Sequence, residues 1–510
     1  MTLSSSPFPS SIAASYPDYE TTSRLDTIRD TDYSYLDRQS HVYLDYAGAG
    51  LAAASQVRSH ADRLTSLIAG NPHSASPSSA VSNDAMAEAR SRVLRFFNAD
   101  PGEYSVIFTA NATGAARLVG EAYPFTRGSR LVLTADNHNS INGLRCFAAK
   151  ARAPTVYVPA DPVDLRTDTG AVAAALSSSS SPFKKVNFSC FPLLSRKMNR
   201  SGRGSRSKTS PARKLFAYPA QSNFSGVRHP LSWVRMAQDQ GYDVLLDAAA
   251  YVTTARLDLS VVKPDYATVS WYKLFGFPTG VGCLIARRDS LAGLDRPWFS
   301  GGTVRAATVG VQWVEPAADE AAFEDGTPNF LSLADVHYGI DWLDREVGLD
   351  VLATRVRCLT GWFLDRLRAL RHSDGSPMAV VYGPVDTVDR GGTVAFNLVD
   401  AAGRVVDQRI VGPESAAVNI SIRTGCFCNP GAGETALGIG RDAILRLSET
   451  RGLSFDSIVK TLDQPFIGAL RVSFGVASNA ADVDMFLQFV KKTYRDREVT
   501  WEGLPPLESC

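Results

Sequence analysis

Two stretches of this chain gather residue types that could do chemistry together. In "RTGCFCNPG", residues 423–431, Cys426 and Cys428 stand one residue apart between Arg-Thr-Gly and Pro-Gly. That spacing leaves three readings open: a redox pair, half of a metal site, or one nucleophile with a bystander. In "DVLLDAAAYVTT" an apolar run closes on Asp247, and some twenty residues later "ATVSWYKLFGFPTGVG" closes another on Ser270-x-x-Lys273. In a parallel sheet, ligands sit beyond the carboxyl ends of the strands, so Asp247, Ser270 and Lys273 should converge on one crevice. The aromatic and Gly-rich surroundings of Lys273 point to a desolvated amine whose lowered pKa suits Schiff-base chemistry. Pyridoxal 5'-phosphate needs this set: a lysine to carry it, a carboxylate to keep its ring nitrogen protonated, and an anion cradle for its phosphate. The cradle is expected at "FTANATGAARLVG", where a strand passes into a helix whose free N–H groups and dipole attract an anion. His138, in "DNHN" at another strand end, adds an imidazole able to stack on the cofactor ring.

Each piece alone has a plainer reading. A lone lysine is usually a solvated charge, a strand-end aspartate is often a helix cap, and a lone cysteine is usually a small buried hydrophobe. Their joint occurrence, in order on successive strands, favours the cofactor site. The seven cysteines are few, odd in number and scattered, which favours free thiols over a disulfide framework. Cys426-x-Cys428 has no second Cys or His pair at a finger-like spacing, so the metal reading is weak.

The elements that must position these groups follow from the apolar pattern. "YSVIFTA", "SRLVLTA", "PTVYVPA", "LFAYPA", "YDVLLDAAA", "DYATVS" and "VGCLIAR" alternate with helical stretches, which implies an α/β fold with a mostly parallel sheet covered by helices. "SNDAMAEARSRVLRFFNA" reads as a helix capped by Ser82 or Asn83, and "HPLSWVRMAQDQG" as one ending at Gly241. After about residue 310 a helix-rich stretch and the runs "MAVVYG", "GTVAFNLV" and "GALRVSF" suggest a smaller α+β domain. The expected organisation is therefore a partly disordered N-terminal arm (1–40), a large domain (41–310) and a small domain (311–510) carrying the cysteine loop. Residues 177–214 carry ten Lys or Arg and no acid, and read as a disordered or surface insertion. With 53 basic and 52 acidic side chains the formal charge is +1, so nothing in the balance argues for nucleic acid or a membrane surface. The N-terminus lacks a basic-then-apolar leader, and the chain is expected in the cytoplasm.

"YLDYAGAG", "GNPHS", "DNHNS", "YPAQSNFSG", "LLDAAAYV", "SWYKLFGFPTGVG", "FEDGTPNF" and "RTGCFCNPGAG" together resemble the aminotransferase-like domain of eukaryotic molybdenum cofactor sulfurases. More distantly they resemble the cysteine desulfurases of the class V aminotransferase group. The likeness runs from about residue 40 to about 490. It implies the PLP-dependent transferase fold type I and a homodimer with the site near the subunit boundary. It also implies a role for each motif residue. Lys273 would carry the cofactor, Asp247 would face its ring nitrogen, and Asn223 would touch its phenolic oxygen. Asn111, Thr113 and Ser270 would hold its phosphate, and His138 would stack on its ring, the alignment leaving Asn137 as the neighbouring choice. Arg471, with Arg423 as a second candidate, would grip the carboxylate of L-cysteine, for which a planar guanidinium is suited. Counting three residues from Gly425 makes Cys428 the nucleophile that takes the sulfur as a persulfide and leaves alanine. A disulfide at Cys428 would then defeat the reaction, and Cys426 is expected to shape the turn, with a sulfur relay or resolving thiol as the alternative.

Two departures from the family pattern stand out. Gly433 occupies the place of a third cysteine, and typical sulfurases continue into a C-terminal domain that binds molybdenum cofactor, whereas this sequence stops at residue 510. Desulfuration is expected to be intact, with molybdenum cofactor or a molybdoenzyme as sulfur acceptor and the route of delivery left open. The alternatives are a PLP-dependent C–S lyase or related enzyme acting on an amino-acid-derived metabolite, and a non-catalytic sulfur-carrying partner.

Overall fold

The computed structural model describes residues 11–178, 212–449, 455–462 and 468–506. Most of the basic insertion therefore lies outside the described residues. In chain order the strands are β1 (Val42–Tyr43), β2 (Tyr104–Thr109), β3 (Arg130–Thr134), β4 (Thr155–Val158), β5 (Lys214–Pro219), β6 (Tyr242–Asp247), β7 (Tyr266–Ser270), β8 (Gly282–Arg287), β9 (Val304–Thr308), β10 (Trp313–Pro316), β11 (Ala379–Tyr382), β12 (Thr393–Leu398), β13 (Ile420–Ser421), β14 (Arg423–Gly425) and β15 (Ala469–Ser473).

The seven apolar runs expected as strands form one sheet in the order β2-β8-β7-β6-β5-β3-β4. Neighbours from β7 to β4 are parallel, and β8 alone runs against the rest. Both faces are covered. In β5, Phe216 and Tyr218 join one apolar cluster while Leu215 and Ala217 join the other, and in β6 Val244 and Leu246 oppose Leu245 in the same way. A strand buried on both faces reads as a continuous apolar run, which is why these seven were legible.

The smaller sheet is antiparallel, in the order β11-β12-β15-β14, with β14 as its short edge. The helix-rich stretch before it resolves into helices Phe330–Trp342 and Leu349–Ala369, separated by Gly348 at φ +74°.

Within the stretch expected as a partly disordered N-terminal arm, the described residues form short helices between Ile12 and Arg38. They dock on helix Leu349–Ala369, where fully buried Arg355 pairs with Asp26 at 2.7 Å and bonds Thr22 Oγ1 at 2.6 Å. Buried Leu25 and Ile28 supply the apolar contact, which a Ser-, Thr- and Asp-rich sequence conceals. The helix expected to start at Ser82 or Asn83 starts at Pro77, because Ser76 accepts from the Ser79 N–H and proline is well suited to the first turn. Helix Trp233–Gln238 is followed by Gly241 at φ +74°, as the sequence suggested.

Candidate active site

Lys273 sits in the short helix Trp271–Phe275, immediately after β7. Gly276 ends that helix at φ +78°, and a Cβ there would lie 2.1 Å from the backbone carbon of Leu51. Only glycine lets the 50–52 segment close over the lysine turn, where Gly50 N–H donates to the Tyr272 carbonyl at 2.9 Å. Among the described residues the Lys273 amine has no hydrogen-bond or ion-pair partner. Burial pushes its pKa below the usual lysine value, helped by Arg471 and Arg423 and opposed by Asp247 and Asp45. A free, desolvated amine is the form that adds to an aldehyde.

Asp247 closes β6 one strand away. Its Oδ1 accepts from Thr268 Oγ1 at 3.0 Å and from Ala249 N–H at 3.1 Å. Both bonds fall on one oxygen, which leaves Oδ2 for the cavity that Asp247 lines.

At the end of β2, Asn111 caps helix Ala112–Ala122 by accepting from the Gly114 N–H at 2.9 Å. Ala112 N–H reaches Ser270 Oγ at 3.3 Å, and Thr113 Oγ1 bonds Ser140 Oγ at 2.7 Å. A Cβ on Gly282 would lie 2.6 Å from the backbone carbon of Asn111, so this turn rests directly on β8. The result is a helix N-terminus ringed by hydroxyls, an anion cradle.

The structure separates His138 from Asn137. Buried Asn137 spends its amide on the carbonyls of Thr134 and Ala217 at 2.9 and 3.1 Å, whereas His138 lines the cavity. His138 Nδ1 accepts from Ser140 N–H at 3.1 Å, which places the proton of the neutral ring on Nε2. Burial, with the Lys273 charge, lowers its pKa against the pull of Asp247.

Cys428 stands on the loop between β14 and helix Pro430–Ala436, exposed and free. Phe427 and Cys428 both adopt left-handed backbone, at φ +54° and +53°. Each costs about 1–2 kcal/mol in a residue with a Cβ. The loop's bonds offset this at roughly 1 kcal/mol apiece. Asn139 N–H donates to the Cys428 carbonyl at 2.7 Å, Asn223 Nδ2 to the Phe427 carbonyl at 2.8 Å, and Asn429 Nδ2 to the Asp136 carbonyl at 2.7 Å. The Arg471 guanidinium adds a cation–π contact, 4.7 Å from the Phe427 ring centre. Cys283 and Cys358 are also free, but Cys146 and Cys426 each take part in a disulfide, contrary to the expectation of free thiols throughout. Spacing along a chain carries no record of which sulfurs folding brings together.

Arg471 and Arg423 are cross-strand partners on β15 and β14, and both face Asp45, at 2.9 and 3.5 Å. Arg471 is buried and also donates to the Asn223 carbonyl at 3.0 Å, while its Nε finds no partner among the described residues. Neither arginine nor Cys428 lines the cavity itself. Asp45, Asn429, Ser140 and Gln221, the last also lining the cavity, were given no role from the sequence, although all four lie within quoted motifs.

The cavity bounded by Asn111, Thr113, His138, Asn223, Asp247, Ser270 and Lys273 measures about 320 Å³. Its lining combines an anion cradle, a carboxylate oxygen, an amide, an imidazole and an unpartnered amine. These residues fit a phosphorylated pyridine aldehyde.

The sheet order and the small antiparallel domain define the fold type I of PLP-dependent transferases, which the chain shares with cysteine desulfurases of known structure. The apo cysteine desulfurase from Thermococcus onnurineus NA1 superposes with a TM-score of 0.70 at 21% identity, covering 92% of this chain and 97% of that one. A C-DES mutant with glycine covalently linked to its PLP cofactor superposes with a TM-score of 0.64 at 14% identity, covering 91% and 98%. In sequence, the model of the aminotransferase class-V family matches residues 42–178 and 196–486. The chain belongs to the aminotransferase class-V family. It is 34% identical over 500 residues to molybdenum cofactor sulfurase from Arabidopsis thaliana, which covers 94% of this chain and 59% of that protein. For the Bos taurus molybdenum cofactor sulfurase the identity is also 34%, over 89% of this chain and 50% of that protein. The chain thus spans little more than half the length of these curated relatives.

Proposed function

We propose that this chain is a pyridoxal phosphate-dependent L-cysteine desulfurase that leaves alanine and a persulfide on Cys428, the sulfur being destined for molybdenum cofactor or a molybdoenzyme. The observation that carries the reading is the convergence of Lys273, Asp247, His138 and Asn223 on one cavity, with a free thiol on the loop bonded to the segment that holds His138. The sulfurase relatives support the choice of acceptor.

Bound in this cavity, pyridoxal phosphate supplies an electron sink for bond changes at the substrate's Cα and sulfur. Lys273 would hold the group and serve as the base that moves the Cα proton. Asp247 Oδ2 would keep its ring nitrogen protonated, Asn223 would donate to its phenolic oxygen, and His138 would face its ring. Asn111, Thr113 and Ser270 would hold its phosphate. Asp45 offsets one of the two guanidiniums, so Arg471 and Arg423 keep a net positive charge for the substrate carboxylate. The Cys428 thiolate attacks the substrate sulfur: an S–S bond forms, the C–S bond breaks, and the carbon skeleton leaves as alanine after taking a proton.

Because Cys428 and both arginines stand outside the cavity lining, a C–S lyase is the second reading. Incubation with L-cysteine separates the two. A desulfurase gives alanine and 32 Da of added mass on Cys428, roughly one sulfur atom; a lyase gives pyruvate and ammonia and leaves the cysteine unmodified. The desulfurase reading also implies a second copy of the chain. Exposed Trp298, Phe299, Val309, Val311 and Trp313, on and beside the β9–β10 hairpin, support such a partner surface.

A further inference from the structure

The amide orientations behind the cavity form a chain that starts at a helix end. Asn429 caps helix Pro430–Ala436, and the Ala432 N–H, 3.2 Å away, fixes its Oδ1 as the acceptor. Its other amide atom is therefore Nδ2, and both hydrogens are committed, one to the Asp136 carbonyl at 2.7 Å and one to Asn223 Oδ1 at 2.9 Å. That in turn settles Asn223. Its Oδ1 is turned towards Asn429, its Nδ2 gives one hydrogen to the Phe427 carbonyl at 2.8 Å, and the second hydrogen remains for the cavity that Asn223 lines. Asn429 is fully buried, and it is the residue next to the thiol-bearing Cys428.

We propose that Asn429 is a positioning residue that, through Asn223, makes the docked state of the Cys428 loop and the donor face of the cavity a single unit. Docking the loop turns an N–H of Asn223 towards the cavity; undocking it frees the amide to present its carbonyl instead. The cavity therefore favours an acceptor oxygen at that point only while the thiol is in place. The proposal rests on the desulfurase reading for the identity of that oxygen, the cofactor's phenolic one, but not for the coupling itself.

Two variants test it. Asn429→Ser keeps a side-chain acceptor for the helix cap and removes both amide N–H donors, its single hydroxyl being too short to replace them, and Asn429→Asp keeps the shape and replaces the donors with acceptors. In the cofactor-free protein, hydrogen–deuterium exchange of the Asn139 N–H, which the Cys428 carbonyl holds at 2.7 Å in the docked loop, should be roughly tenfold faster in both variants, as expected for losing one or two hydrogen bonds. In the protein loaded with pyridoxal phosphate, the pH midpoint of the visible band should move upward by about one unit, because a lost donor no longer stabilises the ionised phenolic oxygen. A purely structural role would lower the melting temperature and leave that midpoint in place. An Asn139 exchange rate within about twofold of wild type, or an unmoved midpoint in a protein with wild-type circular dichroism, overturns the proposal. Failure of the wild-type protein to take up the cofactor would instead count against the desulfurase reading, with the exchange arm still deciding the coupling.

Discussion

Asp45 binds Arg471 at 2.9 Å and faces Arg423 at 3.5 Å, so a single carboxylate is shared by two guanidiniums that strand pairing sets side by side. Arg471 is almost wholly enclosed, and a buried charge that loses its partner is costly. Asp45→Asn is expected to destabilise the protein by about 3 kcal/mol in urea unfolding. Because Asp45 also pulls the Lys273 pKa upward, the variant should leave that amine deprotonated at lower pH.

Lys273→Ala should abolish the visible band formed on adding pyridoxal phosphate and reduce alanine formation by about 10³-fold or more, measured by product analysis. A variant that kept the band would reassign the lysine.

Cys428→Ser should retain the band and lose both alanine formation and persulfide. The exposed thiol lies at a loop turn, so its replacement is expected to change stability by less than about 0.5 kcal/mol.

Gly276→Ala should cost at least roughly 1–2 kcal/mol from its left-handed backbone alone. The contact with Leu51 adds to this and displaces the lysine turn. Loading with cofactor, followed by absorbance, should fall with stability.

His138 has a lowered pKa in the folded chain, from a usual value of 6.5. As pH falls below that value the unfolded chain takes up a proton that the native ring still refuses, so the unfolded state binds more protons and stability declines. Melting temperature of the cofactor-free protein should therefore drop as pH falls through about 6, and His138→Gln should flatten that decline.

How much was legible follows from the range of each interaction. The seven large-sheet strands and the Asp247, Ser270, Lys273 and His138 positions were readable because a doubly buried strand is apolar throughout and its carboxyl end points at the ligand. Asp45 and Asn429 were not, since their roles depend on residues hundreds of positions away: Asp45 on Arg471, Asn429 on Asp136. The helical N-terminal stretch was missed for the same reason, its apolar side matching a helix that begins at Leu349. The cavity is lined by residues between 110 and 280, while the thiol and both arginines come from residues 423 to 471 and stand outside its lining. Motif order identifies such parts, but not the depth at which each is set.

The largest apolar cluster contains Val244 and Leu246 of the big sheet together with Phe396 and Leu470 of the small one and Phe363 of helix Leu349–Ala369. The amine and the thiol are thus mounted on two sheets that share one hydrophobic interior. The transition that displaces the lysine on heating should therefore displace the thiol with it, since the apolar contacts that place the two are held in common.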